Sequence, residues 1–247
     1  MGSFGGRCGG EAAVAPGDGD AAPTTDGLRR VLLVGVGGPS CSGKSTLAGK
    51  IAERLGSPLQ PVQLDWYFVP SRMPKDPRWG RNWETPEGVD FFRLGEDLHW
   101  LVESLRRVDR VPERLKLSPP CCHGGVDLVR EGWAGLQLGI AEPMVVVAEG
   151  FLMFHNKAVG AMFDVAVWLE AERDVCSKRR HQREARDMDF ELFSEWYREV
   201  VWSHFLTHRD VQLKNVPGAL RLDAGERPEA LLRGATTHCR KRLGLAC

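Results

Sequence analysis

The stretch from Val31 to Gly56 constrains the fold of this 247-residue chain more than any other. A short, β-branched apolar run, Val31 to Val36, leads into glycines, and residues 38–45 read G-P-S-C-S-G-K-S. These eight residues match G-x-x-x-x-G-K-[ST] in full. Apolar residues then recur at helical spacing from Thr46 to Leu55, and Gly56 ends the pattern. A strand, a glycine loop and a helix in this order are typical of a phosphate-binding loop.

The chemistry of the loop predicts a nucleoside triphosphate site. Its glycines let successive backbone N–H groups point inward, and the following helix adds the positive end of its dipole. We expect the Lys44 ammonium on the β- and γ-phosphates and the Ser45 hydroxyl on Mg²⁺. The predicted ATP-binding residues of the loop are Gly38, Ser40, Cys41, Ser42, Gly43, Lys44, Ser45 and Thr46. ATP is favoured over GTP because the Asn-Lys at residues 156–157 lacks the aspartate of a guanine-specific Asn-Lys-x-Asp set.

Strand and helix patterns alternate along the rest of the chain. Further strands are predicted at 61–64, 144–148, 165–169 and 219–222, and helices at 91–108, 172–186, 190–208 and 228–242. This alternation indicates an α/β fold of the P-loop nucleoside triphosphate hydrolase type, with a parallel sheet, helices on both faces and a helical lid.

The organisation predicted from composition is one domain behind a short tail. Residues 1–28, rich in Gly, Ala and Asp, are expected to form a disordered N-terminal extension, and their acids disfavour a transit peptide. Residues 29–247 are expected to form the P-loop domain, with the lid at about 173–200. The proline- and glycine-rich segment 110–140 is expected to be an excursion on the surface.

Charge and cysteine usage exclude several protein classes. Lys and Arg total 33 and Asp and Glu total 33, which argues against a nucleic-acid binder that depends on excess positive charge. No apolar run approaches the roughly 20 residues that span a bilayer. The seven cysteines contain no Cys-x-x-Cys pair and favour a reducing compartment. We expect a cytoplasmic location, with the nucleus as the alternative, no nucleic-acid or membrane partner, and a monomer or weak homo-oligomer.

Two acids stand at predicted strand ends. Asp65 follows the strand at 61–64, and Glu149 follows the strand at 144–148. Because parallel strands deliver such residues to the crevice that holds the phosphate loop, Asp65 could orient or deprotonate a hydroxyl, or contact Mg²⁺. Glu149 could hold a water on Mg²⁺ or accept from a sugar hydroxyl. The alternative for each acid is that it caps the turn that follows it.

Two further features have both a functional and a structural interpretation. The basic run from Arg173 to Arg186 could close over phosphate as a lid, or could be a solvated helix face. Trp83, in a loop between prolines, could stack on a heterocyclic base while Glu84 accepts from ribose hydroxyls. The alternative for Trp83 is a loop tryptophan packed on the core.

Several segments in one order carry a family resemblance over roughly residues 30 to 235. After the phosphate loop come Asp65 with its aromatic followers, Asn-Trp-Glu at 82–84 and V-A-E-G-F-L-M-F at 147–154. C-S-K-R-R-H-Q-R at 176–183 and V-W-S-H-F at 201–205 complete the set. Together they resemble the nicotinamide riboside kinases, within the uridine-kinase-like branch of P-loop kinases.

The resemblance implies transfer of phosphate from ATP, with Mg²⁺, to the 5′-hydroxyl of nicotinamide riboside in NAD salvage, with nicotinic acid riboside as a second acceptor. The alternatives are a uridine or cytidine kinase and, from another class, an inactive ATP-binding regulatory module. By resemblance, Asp65 is the catalytic base, helped by Lys44, and Ser45 and Asp65 hold the metal. Arg179 and Arg183 contact ATP. The implied substrate-binding residues are Asp65, Tyr67, Phe68, Trp83, Glu84, Glu149 and Arg180.

Overall fold

The computed structural model describes residues 28–139, 143–185 and 187–245. Residues 1–27 of the predicted extension and Arg186 of the predicted lid lie outside these ranges. The strands are β1 (Val31–Gly37), β2 (Val62–Gln63), β3 (Lys75–Asp76), β4 (Gly80–Arg81), β5 (Lys116–Leu117), β6 (Val126–Asp127), β7 (Met144–Glu149), β8 (Val165–Glu170) and β9 (Leu220–Asp223). The helices are α1 (Lys44–Arg54), α2 (Phe91–Arg106), α3 (Lys157–Gly160), α4 (Arg173–Glu184), α5 (Phe190–Trp196), α6 (Ser203–Asn215) and α7 (Pro228–Leu243).

Five strands form one parallel sheet in the order β2-β7-β1-β8-β9. Every residue of β1 and β7 is buried, as expected for central strands covered on both faces. One apolar cluster packs α2 and its neighbours against one face of the sheet, and a second packs α1 and α7 against the other. The predicted α/β fold class is confirmed.

The carboxyl ends of the parallel strands share one edge of the sheet. Gln63 of β2 pairs with Glu149 of β7, and Val36 of β1 also pairs with Glu149. The turn after β2 and the phosphate loop after β1 therefore leave the sheet side by side. Gly150 permits this closeness, because a Cβ there would lie 2.3 Å from Leu64 Cβ.

The segment 110–140, predicted as a surface excursion, is mostly exposed or half-buried over the described residues 110–139, but it is anchored to the core. β5 and β6 form an antiparallel pair, and Leu115, Leu117 and Leu128 are buried in the main apolar cluster. The Gln60 N–H donates to the Leu128 carbonyl at 2.8 Å, which ties this pair beside β2. Leu115 and Leu117 are two residues apart, as on one face of a strand, but a pattern this short between prolines and glycines did not reveal their burial.

The helix predicted at 190–208 is longer and less regular in the structure. α5 continues into a π-helical segment, Tyr197–Trp202, and then into α6. A local widening of this kind displaces the side chains that follow from the positions of an ideal α-helix, and it is frequent at functional sites. Across the described ranges, no helix combines the length and apolarity needed to cross a membrane.

Candidate active site

The phosphate-binding loop is held in an unusual backbone conformation. Gly38 has φ 139°, Gly43 has φ 101°, and Cys41 has φ 63°, a left-handed value that side chains other than glycine seldom adopt. A Cβ on Gly38 would lie 2.5 Å from the carbonyl oxygen of Leu169, so close packing also requires glycine there. Such strain persists where the surrounding structure enforces it, and it is concentrated at functional sites.

Lys44 begins α1 and is buried beneath this loop. Its Nζ donates to the Pro39 carbonyl oxygen at 2.8 Å, and the Ser42 N–H donates to the same carbonyl at 3.2 Å. A buried ammonium that borders an open cavity attracts a multiply charged anion strongly. Lys44 is therefore placed to bind phosphate, as its motif predicts.

A cavity of about 230 Å³ opens over the loop and unites residues from four separate segments. The phosphate loop, the turn after β2, the end of β7 and the helix α4 all contribute to it. Its lining residues are Ser40, Cys41, Gly43, Lys44, Ser45, Thr46, Asp65, Glu149, Gly150, Phe151, Arg179 and Arg183. Most of the predicted phosphate and lid residues thus meet the two predicted acids in one place.

Both acids of the cavity are less acidic than ordinary carboxyls. Solvent reaches Asp65 through the cavity mouth, but protein surrounds its other sides, and this loss of hydration raises its pKa against the lowering effect of Lys44 and the lid arginines. Burial also raises the pKa of Glu149, while Lys44 and a hydrogen bond from Ser45 lower it. The negative charge of Asp65 raises the Glu149 pKa further.

The oxygen donors around Lys44 suit a magnesium ion that also binds phosphate. Across the described residues no group of three or more His, Cys, Asp or Glu side chains forms a protein-only metal cage. Mg²⁺ in phosphoryl-transfer sites is instead held by one or two carboxylates together with phosphate oxygens and water. Ser45, Asp65 and Glu149 line the same cavity and provide such donors.

Trp83, Glu84 and Arg180 do not line the cavity; they lie in an aromatic cluster and a buried ion pair outside it, and the cluster meets the cavity at Phe151. Trp83 is 42% exposed and meets the Phe68 ring edge-on at 5.5 Å, and Phe68 stacks on Phe151 at 5.9 Å. Glu84 is buried, and its carboxylate accepts from Arg180 Nη1 at 2.7 Å. The exposed indole of Trp83 is therefore followed directly in the chain by Glu84, which forms a buried ion pair with Arg180.

Arg180 differs from the other lid arginines in its surroundings. Arg179 and Arg183 are exposed and line the cavity, whereas Arg180 is mostly buried and also donates to Glu184 at 2.9 Å. Its guanidinium lies 5.0 Å from the centre of the Trp196 ring. Burial alone would lower the Arg180 pKa, but Glu84 and Glu184 outweigh it and raise the pKa.

The structure does not bring Tyr67, an expected substrate-binding residue, to the cavity. Leu64–Tyr67 form a 3₁₀ turn in which Asp65 reaches the cavity, while Tyr67 is fully buried and donates its hydroxyl to Asp97 at 2.9 Å. Phe68 is also buried and reaches the site only by supporting Trp83 and Phe151. Gly38 shapes the loop from behind rather than lining the cavity.

A second cavity, of about 380 Å³, lies on the other side of the phosphate loop and was not predicted. It shares Cys41, Gly43, Thr46 and Arg179 with the first cavity, and Ser42 joins its lining. Its remaining residues are Leu47, Lys50, Leu169, Ala224, Gly225, Glu226, Pro228 and Leu231. The loop after β9 supplies three of these, Ala224, Gly225 and Glu226, and its position at a strand end was the only sequence signal for this cavity.

Comparison with known proteins gives relatives of modest similarity, and no family model matches the chain. The nicotinamide riboside kinase of Saccharomyces cerevisiae is 26% identical over 161 residues, 63% of this chain and 66% of that protein. The nicotinamide riboside kinase of Schizosaccharomyces pombe is 25% identical over 209 residues, 78% of this chain and 89% of that protein. A uridine kinase of S. pombe is 23% identical over 188 residues, 70% of this chain and 36% of that protein.

The chain thus spans slightly less than two thirds of the S. cerevisiae relative. Among solved structures, a gluconokinase from Sinorhizobium meliloti 1021 shares 15% identity, with 87% of this chain and 96% of that chain covered and a TM-score of 0.46.

Proposed function

We propose that this chain, which belongs to the uridine-kinase-like branch of P-loop kinases that includes the nicotinamide riboside kinases, transfers phosphate from ATP to the 5′-hydroxyl of a ribonucleoside. The observation that carries the proposal is the cavity in which Lys44 of the phosphate loop meets Asp65. A phosphate-binding group and a proton acceptor in one cavity are the two parts that transfer to a hydroxyl requires.

The donor half of the reaction uses the phosphate loop and both cavities. Backbone N–H groups of the loop and the buried Lys44 would bind the phosphates, and the second, more apolar cavity beside Leu169 and Leu231 would take the base of ATP. Mg²⁺ held by Ser45 and Asp65 would neutralise charge on the β- and γ-phosphates. Arg179 and Arg183 would oppose charge on the transferred group and exclude water.

The acceptor half depends on Asp65. Phosphoryl transfer needs positioning and charge neutralisation more than a strong base, so a carboxylate that accepts the hydroxyl proton late in the reaction is sufficient. The raised pKa of Asp65 makes it a better proton acceptor than an ordinary aspartate once it is ionised. Glu149, which lines the same cavity, would help to hold Mg²⁺ or a sugar hydroxyl.

Nicotinamide riboside is the acceptor that we propose within this class. The exposed Trp83 face suits a flat, cationic ring, because a cation on an aromatic face gains about 0.5–2 kcal/mol. The Glu84–Arg180 pair beside it offers charged hydrogen-bonding groups for ribose hydroxyls. Two of the relatives compared above are named as kinases of this riboside, which favours it over uridine. Action in cytoplasmic NAD salvage belongs to the same proposal.

A panel of acceptors tests the proposal. ADP release would be followed with nicotinamide riboside, nicotinic acid riboside, uridine and cytidine, each at several concentrations. We expect nicotinamide riboside to give the highest kcat/KM. A higher value for uridine would move the assignment to a uridine kinase, for which the relatives of that name provide support. No stimulation by any nucleoside would instead support the inactive ATP-binding module, against which Lys44, Ser45, Asp65 and Glu149 together argue.

A further inference from the structure

Asn82 makes three hydrogen bonds, and one of them joins the loop that carries Trp83 and Glu84 to the start of α6. The residue is buried, and its backbone N–H donates to the Pro74 carbonyl at 2.9 Å. Its Oδ1 accepts from the Glu84 backbone N–H at 2.9 Å, and its Nδ2 lies 3.1 Å from Nε2 of His204. The other ring nitrogen of His204, Nδ1, lies 2.6 Å from the Val200 carbonyl oxygen.

The donors and acceptors in this chain of contacts allow only one protonation pattern. The Val200 carbonyl can only accept, so His204 Nδ1 carries a proton. The Glu84 backbone N–H can only donate, so the Asn82 side-chain oxygen faces it and the amide NH₂ faces His204. His204 Nε2 must then be the unprotonated acceptor. The three side-chain contacts are satisfied together only when His204 is neutral.

We propose that His204 is a positioning residue of the acceptor site, which holds the Trp83–Glu84 loop through Asn82 only in its neutral form. The inference rests on the proposed function, because it concerns how the acceptor nucleoside is bound. If Nε2 of His204 were protonated, two donors, the Nε2–H and the Asn82 NH₂, would oppose each other and no hydrogen bond could form between them. Turning the Asn82 amide to meet it would place that NH₂ against the Glu84 N–H, so one of the two contacts is lost in either orientation.

The placement of His204 explains why one side chain can affect the whole acceptor side. His204 follows the π-helical segment Tyr197–Trp202, which packs with α4 and α5 in a separate apolar cluster. Two further contacts join this stretch to the acceptor side: Arg78 pairs with Glu195 at 2.8 Å, and Trp79 Nε1 donates to Glu199 at 3.2 Å. His204 thus follows a helical segment that contacts both α4 of the lid and the loop that carries Arg78, Trp79 and Asn82.

Other ionisable groups lie on the elements packed around His204. His208, one turn further along α6, has its ring 6.3 Å from that of His204, and His155 meets His208 at 4.9 Å. Burial lowers the pKa of both His155 and His208, and Glu87 opposes this. Glu199, five residues before His204, accepts hydrogen bonds from Arg78 and Trp79. The Glu84 carboxylate accepts a hydrogen bond from Arg180.

Two substitutions test the positioning role by changing its pH dependence in opposite ways. Asn82→Asp supplies two acceptors, so it satisfies the Glu84 N–H and a protonated His204 at once. His204→Gln offers an amide oxygen in place of Nε2 and does not titrate. KM for the nucleoside, KM for ATP and kcat would be measured from pH 5.5 to 8 for the three proteins. Ratios between proteins at each pH cancel the titration of Asp65 and Glu149, which all three retain.

In the wild-type protein, we expect the nucleoside KM to rise about tenfold as pH falls, with the KM for ATP unchanged, since one hydrogen bond to the loop is lost. Asn82→Asp should remove or reverse that rise, and His204→Gln should make the nucleoside KM nearly independent of pH. Parallel nucleoside KM profiles in the three proteins would overturn the inference. So would variants in which kcat is lower and both KM values are higher by the same factor at every pH, because a general loss of folding would cause that.

A measurement without turnover separates this inference from the proposed function. Amide hydrogen exchange of the peptide that contains Glu84, corrected for the intrinsic pH effect, should be faster at pH 5.5 than at pH 8 in the wild type. In Asn82→Asp, the corrected exchange rate of this peptide should not be faster at pH 5.5 than at pH 8. If no nucleoside is phosphorylated but exchange behaves in this way, the proposed function fails and the role of His204 in holding the loop stands. Equal exchange in both proteins would contradict that role.

Discussion

The donor and acceptor sides of the cavity are built by different means. On the donor side, residues contiguous in sequence, from Gly38 to Thr46, form a loop whose binding groups are backbone N–H groups and one buried lysine. On the acceptor side, Trp83 and Glu84 come from one loop, Arg180 from the lid helix and His204 from α6, and side-chain contacts bring them together. The phosphate-binding part of the donor side is therefore local in sequence, whereas the acceptor side is assembled from residues far apart in the chain.

This difference predicts where specificity can change. A backbone cradle recognises the phosphate that all nucleoside triphosphates share, and few substitutions alter it without destroying it. The acceptor side can change one side chain at a time. We therefore expect substitutions on the donor side to reduce kcat with every acceptor, and substitutions on the acceptor side to change the ratio between acceptors.

The largest effect is expected from Lys44→Ala. Removal of the buried ammonium deprives the transferred phosphoryl group of its nearest positive charge, and we expect kcat to fall by about 10²–10³-fold with all acceptors. Steady-state ADP release would measure it. Lys157→Ala, which removes an exposed lysine at the start of α3, is the matched control and should keep wild-type activity. Selective loss with one acceptor would contradict the assignment of Lys44 to the donor side.

Asp65→Asn tests the residue at which the two sides meet. We expect kcat to fall by about 10²–10⁴-fold because the proton acceptor is lost, while the Kd for ATP measured by calorimetry stays within about threefold. Asp210→Asn, at an exposed position on α6, serves as control. Near wild-type turnover in Asp65→Asn would remove Asp65 from its proposed role.

The pH profile sharpens the same test. Burial raises the Asp65 pKa, and the ionised form is the one that accepts a proton, so activity should be lost as pH falls through that raised pKa. The acid limb of kcat, measured at saturating nucleoside so that changes in KM do not enter, should therefore lie above about pH 4, where an ordinary aspartate titrates. An acid limb at the ordinary position would show that another group limits the reaction.

Trp83→Ala should separate acceptors by charge. Loss of the exposed indole removes a cation–π contact of about 0.5–2 kcal/mol, so KM for nicotinamide riboside should rise about 2- to 30-fold. KM for uridine should rise less, because its base carries no positive charge. Trp100→Ala, an exposed tryptophan on α2, controls for a general surface effect. Equal increases for both nucleosides would refute the cation–π interpretation.

The smallest expected effect is a gain in stability from Glu149→Gln. Because burial raises the Glu149 pKa in the folded state, the ionised carboxylate destabilises the fold once pH exceeds that raised pKa. The penalty disappears as pH falls below the unfolded value, about 4.3. At pH 7 the melting temperature of the variant should exceed that of the wild type by about 2–4 °C per kcal/mol of penalty removed. At about pH 4 the two proteins should melt at the same temperature. A lower melting temperature at pH 7 would contradict this account of Glu149.

The same division explains what the sequence could predict. The phosphate loop and the two acids at strand ends follow from local spacing and from the rule that parallel strands end at one edge, and Lys44, Asp65 and Glu149 do share a cavity. Tyr67 does not line the cavity because the 3₁₀ turn directs its side chain to Asp97, and no periodicity in the sequence predicts that turn. The second cavity and His204 were missed because their partners lie more than 100 residues away.

The central claim is that phosphate passes from ATP to a ribonucleoside 5′-hydroxyl at Asp65, and product analysis tests it most directly. The wild-type protein would be incubated with ATP, Mg²⁺ and nicotinamide riboside or its 5′-deoxy analogue, and the products identified by mass spectrometry and ³¹P NMR. We predict the 5′-mononucleotide and an equal amount of ADP from the riboside, and neither above background from the 5′-deoxy analogue. ADP formed equally with both compounds, without a phosphorylated nucleoside, would contradict the account.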